Sequence, residues 1–117
     1  MSNYFGFFSN CTIMDLSYLD TSLVNNMAGM FQYSSNLIEL NLSNFNTQNT
    51  TNMLQMFMNC SKLVDLNLNS FNTSNTTVHS AMFLNTLSLT EILVTKDTWT
   101  IPSSTITNSG VTDFTYV

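Results

Sequence analysis

Charge is the scarcest property of this chain of 117 residues. It has two basic side chains, Lys62 and Lys96, against seven acidic ones, which gives a formal net charge of −5. Two cations cannot neutralise a run of phosphates, so the sequence argues against nucleic-acid binding. The same shortage argues against docking to anionic membrane surfaces.

Other features are also missing. Three Gly and one Pro are too few for a collagen-like chain or a flexible linker. Because no apolar run approaches the roughly eighteen residues of a membrane span, we expect no membrane-spanning segment. The stretch Met1–Phe8 has no basic region and is only briefly apolar, so we expect no signal peptide within this chain. Cys11 and Cys60 are too few for a disulfide scaffold and lack metal-ligand spacing.

Small uncharged polar residues take the place of charge. Asn supplies 17 positions, Thr 17 and Ser 15, while 44% of the residues are hydrophobic. That hydrophobic fraction is too high for a disordered chain. The length suits one domain, and we predict a single domain over residues 1–117.

A repeat with a constant step of 26 residues organises the chain. Phe31 recurs as Phe57 and Phe83, and Phe5 lies one step earlier. The full units cover residues 5–30, 31–56 and 57–82, followed by a terminating unit at 83–99 and a capping tail at 100–117. Agreement of several columns without an insertion indicates stacked repeats.

Each unit divides by its periodicity. Leu40-Asn-Leu42 alternates apolar with polar residues, as a short half-buried strand does. Met53, Met56 and Phe57 have the spacing of one helical turn. One strand and one turn cannot bury an apolar face alone, whereas stacked neighbours can. We therefore predict an α/β repeat fold, a solenoid with one parallel sheet, short helical or 3₁₀ turns and a period of 26.

The same columns resemble a known family. Leu37-x-x-Leu40-x-Leu42-x-x-Phe45-Asn46-Thr47 resembles the strand pattern of leucine-rich repeats. Met56-Phe57-Met-Asn59-Cys60-Ser61-x-Leu63 is similar to the Met-Phe-x-x-Cys-Ser-x-Leu signature of BspA-like leucine-rich-repeat surface proteins of bacteria. The resemblance runs from residue 5 to about residue 99. It implies a right-handed leucine-rich-repeat solenoid located at the cell surface or outside the cell. It also implies non-catalytic adhesion to a host, matrix or neighbouring surface protein.

The two ends of the repeat differ. Trp99 is large enough to cover the open end of the core, and residues 105–112 alternate around Asn-Ser-Gly. We expect a small hairpin or meander there that covers the edge strand. Phe5, Phe7 and Phe8 begin a unit without a preceding one, which indicates truncation or self-association through an uncapped N-terminal end.

Catalytic and metal-binding patterns are weak. His79 occupies the column of Met27 and Met53, so we interpret it as a partly buried substituted core residue. Cys60 and Cys11 lie in different columns and are interpreted as buried small hydrophobic residues. There is no Gly-rich phosphate loop and no His/Cys cluster for zinc. We therefore expect no enzyme, no cofactor and no metal site.

An acidic column is the sharpest functional feature. Glu39, Asp65 and Glu91 are spaced by 26 and each precedes an inward-facing apolar residue. They should line up on the exposed strand face, where stacked like charges repel. Such a stripe could receive Lys or Arg groups of a partner or weakly bind Ca²⁺. The alternative is a solvated edge that keeps the protein soluble.

The polar columns pose the same choice between structure and binding. One column contains Asp20, Asn46 and Asn72 and the next contains Thr21, Thr47 and Thr73. Such side chains can satisfy backbone groups where the chain turns, and we favour that reading over ligand binding.

The candidate contact surface is the exposed strand face. Its residues are Asp15, Glu39, Asn41, Asp65, Asn67 and Glu91. The predicted function is a non-catalytic binding module. The first alternative is a structural spacer or assembly module without its own ligand, and the second is a weak Ca²⁺-binding protein. A small enzyme ranks last, because its polar groups do not converge.

Overall fold

Short strands supply most of the regular secondary structure in residues 9–117, the part of the chain that the computed structural model describes. The strands are β1 (Ile13–Asp15), β2 (Glu39–Asn41), β3 (Asp65–Leu68), β4 (Glu91–Val94) and β5 (Thr115–Tyr116). A 3₁₀ helix at Ser103–Ile106 is the single helix within the described residues. The expectations for Phe5, Phe7 and Phe8, with the self-association drawn from them, lie outside the described range.

All strand pairs are parallel, and they form two separate sheets. In the first sheet β1 pairs with β2, with Met14 opposite Leu40. In the second sheet β4 lies between β3 and β5, with Asp65 opposite Glu91 and Val94 opposite Tyr116. No strand ladder joins β2 to β3. The sheet is therefore divided where the repeat predicts continuity.

Residues 26 positions apart lie side by side along the whole repeat. The partners in β1 and β2 and those in β3 and β4 differ by that number, and so do the isolated parallel bridges from Asn26 to Asn52 and from Asn52 to Val78. Turn backbone also bonds across units, as where the Asn59 amide donates to the Leu84 carbonyl at 2.8 Å. Each unit is thus attached to the next through its main chain.

Stacked aromatic rings run through the core. The Phe57 ring lies 5.6 Å from both Phe31 and Phe83, with interplanar angles of 7° and 5°. Phe45 and Phe71 form a second pair at 6.0 Å and 5°. Offset stacking at such separations stabilises by about 0.5–1.5 kcal/mol per pair beyond the burial of area. Around the rings, the buried Met and Leu columns repeat at the same step, including Met30, Met56 and Met82 and Leu37, Leu63 and Leu89.

The predicted fold class is wrong. An α/β leucine-rich-repeat solenoid with one parallel sheet and helical turns does not describe the molecule, because there are two small parallel sheets and no α-helix in residues 9–117. The principal extents are 31 × 29 × 22 Å, those of a compact globule. The single 3₁₀ helix lies in the C-terminal tail, not between strands of the repeat.

The physical reason for the missing helical turns lies in the backbone. The Met56 amide closes one turn on the Met53 carbonyl at 3.2 Å. Gln55 and Asn59 have φ of 55° and 63°, in the left-handed region that a right-handed helix cannot contain. The Phe57 amide therefore donates to the Met82 carbonyl, 25 residues further along the chain, instead of to residue 53. Positive φ recurs in the same two columns at Gly29, Ala81, Tyr33 and Asn85.

A column of buried threonines holds successive turns together. The Thr47 hydroxyl donates to the Asn72 carbonyl and accepts from the Asn72 amide, both at 2.8 Å. Thr21 makes the same pair of bonds with Asn46, at 3.0 and 2.9 Å. These Thr side chains and that of Thr73 are 0% exposed. The structural reading of this column is confirmed, since each hydroxyl satisfies the backbone of the neighbouring unit.

The C-terminal tail closes the core in a different way from the predicted hairpin. Trp99 is 6% exposed and its ring lies 5.1 Å from that of Phe114, which also meets Phe83 edge-on at 6.0 Å. The expectation of a hairpin or meander at 105–112 is wrong, because a 3₁₀ helix and turns occupy this segment, whereas the expectation that the tail covers the edge strand is confirmed. The edge of β4 is covered by β5 in parallel orientation.

Replacement of Thr47 by valine tests the threonine column. Thr47→Val keeps the shape but leaves the amide and carbonyl of Asn72 without their partner. We expect the free energy of unfolding in urea to fall by about 2–4 kcal/mol. Thr51→Val is the matched control, because Thr51 is exposed and donates a single bond, to the Asn25 carbonyl at 3.2 Å. Its loss should stay below about 1 kcal/mol. Equal losses for both variants would contradict the assigned role.

Candidate functional site

The exposed strand face carries all of the residues predicted for contact. Each of the six is solvent-exposed, as the strand alternation requires. They lie at these positions: Asp15 at the end of β1, Glu39 and Asn41 in β2, Asp65 and Asn67 in β3, and Glu91 at the start of β4. The face is therefore accessible along both sheets.

The acidic column is divided between the two sheets. Asp65 and Glu91 are direct neighbours in the second sheet, whereas Glu39 belongs to the first and pairs with Ile13. One Asp65 oxygen accepts a hydrogen bond from the Thr90 hydroxyl at 3.1 Å. Within residues 9–117 no ion pair neutralises these carboxylates, and the Lys62 ammonium donates to Asn36 at 2.9 Å instead. Like charges thus face each other without a cation, which is unfavourable in the absence of a partner.

Half of the predicted face has a structural task. The side-chain oxygen of Asp15 accepts the Ser17 amide at 3.0 Å. In the same way, the side-chain oxygen of Asn41 accepts the Ser43 amide and that of Asn67 accepts the Asn69 amide, each at 3.0 Å. These are Asx turns, in which the side chain takes the place of a backbone acceptor where the strand ends. A run of Asp or Asn in one column, each placed at a strand end or one residue before it, is the signal in the sequence that could have revealed this role.

The column of Asp20, Asn46 and Asn72 also forms Asx turns, five residues further along each unit. Asp20 accepts the Ser22 amide, Asn46 the Gln48 amide and Asn72 the Ser74 amide, at 3.0, 3.1 and 3.0 Å. The structural reading of this column is confirmed. Its oxygens are engaged with the chain's own backbone.

Two shallow open clefts lie on the strand face. The larger is about 500 Å³ and lies between β2 and β3. Its lining is half apolar and half polar: Ile38, Glu39, Leu40, Val64, Asp65 and Asn67. The smaller, about 270 Å³, covers β1 and β2 and shares Glu39 and Leu40 with it. Both clefts combine carboxylates with hydrocarbon.

Sequence reasoning missed the apolar part of this site. Ile38 and Val64 immediately precede Glu39 and Asp65, and they remain 42% and 38% exposed. The available signal was their 26-residue spacing outside the buried columns. Single exposed apolar side chains are ordinary on protein surfaces, so what distinguishes this pair is its position in one cleft beside two carboxylates.

The remaining reactive side chains lie apart from the clefts. His79 is partly buried, and its Nδ1 has no hydrogen-bond partner within the described chain. Cys60 is fully buried, its thiol donates to the Phe31 carbonyl at 3.1 Å, and burial raises its pKa to about 12. Cys11 is only half-buried, so its interpretation as a buried small hydrophobic residue is wrong. None of the three residues lines either cleft.

Residues 9–117 contain neither a candidate metal cluster nor a candidate membrane-spanning helix. No three His, Cys, Asp or Glu side chains in this range come together as a group that could hold a metal ion. No helix in this range has the length and apolar character needed to cross a membrane.

The family of the chain follows from comparison with known proteins. A family model described as "Mycoplasma protein of unknown function, DUF285" matches residues 1–115. Because the match covers nearly the whole chain, the protein belongs to this family. Neither the curated proteins nor the solved structures contain a significant match.

The Asx turns that use carboxylates predict acid sensitivity. The side-chain and backbone hydrogen bonds of Ser17 lower the pKa of Asp15, and the backbone and side-chain bonds of Ser22 lower that of Asp20. A depressed pKa stabilises the fold above the usual value of about 3.9, and this stability is lost as pH falls through the lower value of the folded state. We expect Asp15→Asn with Asp20→Asn to keep both turns, as Asn does in the same columns.

The measurement is Tm as a function of pH from 6 downward to about 2. The fall in Tm below about pH 4 should be smaller in the double variant than in the wild type. Asp97→Asn is the control, because Asp97 is exposed and outside both Asx columns. An unchanged pH profile for the double variant would contradict this assignment.

Burial of Cys60 predicts selective labelling. With a thiolate-specific reagent at pH 8, we expect Cys11 to react in the folded protein and Cys60 to react at least about a hundredfold more slowly. Intact-mass spectrometry of the Cys60→Ser and Cys11→Ser variants gives the labelling rate of each thiol separately, because each variant keeps one cysteine. Labelling of both thiols at one rate under native conditions would overturn the prediction.

Proposed function

We propose that this member of the DUF285 family is a non-catalytic protein-binding module that contacts its partner through the exposed strand face. The observation that carries the proposal is the open cleft of about 500 Å³ between β2 and β3. It places two carboxylates without a cation next to two exposed aliphatic side chains. A partner protein would cover the hydrocarbon and compensate the charge.

The shape of the cleft favours a protein over a small molecule. Small-molecule sites enclose most of their ligand in a concave pocket. The cleft here is open along the sheet and continues into the smaller cleft over β1 and β2 through Glu39 and Leu40. An extended partner can follow such a surface and make many modest contacts.

Location at the bacterial cell surface is part of the proposal and rests on resemblance. The segment Met56–Leu63 and its copies are similar to the signature of BspA-like surface proteins. That similarity supports adhesion to a host, matrix or neighbouring surface protein. The chemistry of the cleft is compatible with each of these partners.

A structural spacer is the second candidate, and one observation favours it. The side-chain oxygens of Asp15, Asn41 and Asn67 accept backbone amides in Asx turns, so half of the residues on the predicted face have a structural role. Under this alternative the acidic residues keep the surface hydrated. The Ca²⁺ alternative has no such support, since Ca²⁺ takes six to eight oxygen ligands and no three acidic side chains in residues 9–117 come together as a group that could hold a metal ion.

Neutralisation of the acidic column separates binder from spacer. The variant combines Glu39→Gln, Asp65→Asn and Glu91→Gln. Surface plasmon resonance against a panel of purified extracellular-matrix proteins measures retention. We expect at least about a tenfold loss of affinity for any matrix protein that the wild type binds, because the charged contacts of the cleft are removed.

The control must carry the same change of net charge. Asp20→Asn, Asp97→Asn and Asp113→Asn remove three exposed carboxylates outside the clefts. This variant should bind within about twofold of the wild type. Undiminished binding by the cleft variant would reject the strand face as the contact surface. Absence of binding by the wild type across the panel would favour the spacer.

A further inference from the structure

The break between the two sheets is a specific local opening of the strand face. In the first sheet the Ile38 amide donates to the Thr12 carbonyl at 2.8 Å, and in the second the Thr90 amide donates to the Val64 carbonyl at 2.8 Å. The corresponding bond, from Val64 to Ile38, is not made within the described chain. The repeated backbone attachment is thus interrupted at one step, and the larger cleft lies at that step.

Two chemically different walls meet in this cleft. Ile38 and Val64 present exposed aliphatic carbon. Glu39 and Asp65 follow them directly in the chain and also line the cleft. Hydrocarbon beside carboxylate is the environment that suits a long aliphatic stem with a cationic head. Lysine and arginine are the side chains of that kind.

The charge of the surroundings selects the same occupant. The chain carries a net charge of −5, and Glu91 lies directly beside Asp65 in the second sheet. An anionic segment would meet repulsion at each of these carboxylates. A wholly apolar segment would cover Ile38 and Val64 but would desolvate Glu39 and Asp65 without compensation, which is costly. A cationic side chain satisfies both walls.

Resting on the function proposed above, we propose that the cleft between β2 and β3 receives a lysine or arginine side chain from an extended basic segment of the partner protein. The stem lies on Ile38 and Val64, and the cationic head lies at Glu39 and Asp65. The open run of the cleft along the face leaves room for an extended main chain on either side. The partner is thereby identified by its chemistry as a basic peptide segment.

Synthetic peptides test the inference on the whole protein. The probe is a short peptide in which lysine alternates with serine, and the companions carry arginine, acetyl-lysine or glutamate at the lysine positions. Acetyl-lysine keeps the stem and removes the charge. Fluorescence anisotropy at low ionic strength should show that the lysine and arginine peptides bind at least about fivefold more tightly than the acetyl-lysine peptide. The glutamate peptide should not bind. Equal binding of the lysine and acetyl-lysine peptides would overturn the proposal.

Paired variants locate the binding. Glu39→Gln with Asp65→Asn should weaken the lysine peptide at least about fivefold, and Asp97→Asn with Asp113→Asn should weaken it less than about twofold. For the stem, Ile38→Ser with Val64→Ser should also weaken it at least about threefold. Leu87→Ser is the control for the stem, because Leu87 is 64% exposed and lines neither cleft. Equal effects of the cleft variants and their controls would show that the attraction is merely general and would overturn the proposal.

The outcome can be separated from that of the proposed function. If the triple acidic variant loses its matrix partner while the lysine peptide fails to bind, the strand face is the contact surface and the basic-segment inference is wrong. If the lysine peptide binds while no partner is retained, the inference stands and the matrix-binding proposal fails. Sedimentation of the protein alone should give a monomer. A dimer dissociated by Glu39→Gln with Asp65→Asn would assign the cleft to a second copy and overturn the inference.

Discussion

The fold depends on hydrogen-bond partners for the backbone amides and carbonyls of its turns. Its strands have two to four residues each, so most peptide groups lie outside any ladder. Buried amides and carbonyls without partners would cost more than the marginal stability of a small domain allows. The solution is repeated at every step: a buried threonine hydroxyl donates to one carbonyl and accepts from one amide of the adjacent unit. Asp and Asn side chains close the turns next to it. The abundance of Asn and Thr in this chain therefore reflects the number of turns.

Packing and polar satisfaction have the same period. The rings of Phe31, Phe57 and Phe83 can stack almost parallel because the turns on either side are held at one spacing. The parallel stack ends at Phe83. There the Phe114 ring packs edge-on against Phe83, and the Trp99 ring packs against Phe114 at an interplanar angle of 65°. Edge-on contacts complete an aromatic column without offering a further parallel face. The tail thereby closes the core at the C-terminal end.

Part of this could be read from the sequence. The step of 26 is the separation of paired residues, and the burial of the Phe, Met and Leu columns follows from it. The overall architecture could not be predicted from the 26-residue step. Met53, Met56 and Phe57 have helical spacing, but spacing does not report φ, and positive φ at Gln55 and Asn59 redirects the amides to the neighbouring unit. The break between β2 and β3 has no sequence signal at all, because Leu40-Asn-Leu42 and Leu66-Asn-Leu68 are identical there. The acidic residues of the candidate site were predicted, whereas Ile38 and Val64 were not, since their apolar character gave no sign that they remain partly exposed.

The threonine column has a consequence for how such a chain can vary. Thr47 bonds to the amide and carbonyl of residue 72, and both groups are main chain. A bond of this kind is indifferent to which side chain stands at the position it contacts. Units are therefore attached to one another without constraining their outward-facing residues. Surface positions such as 38, 39, 64 and 65 can diversify while the scaffold is conserved, so the same framework can present different recognition surfaces.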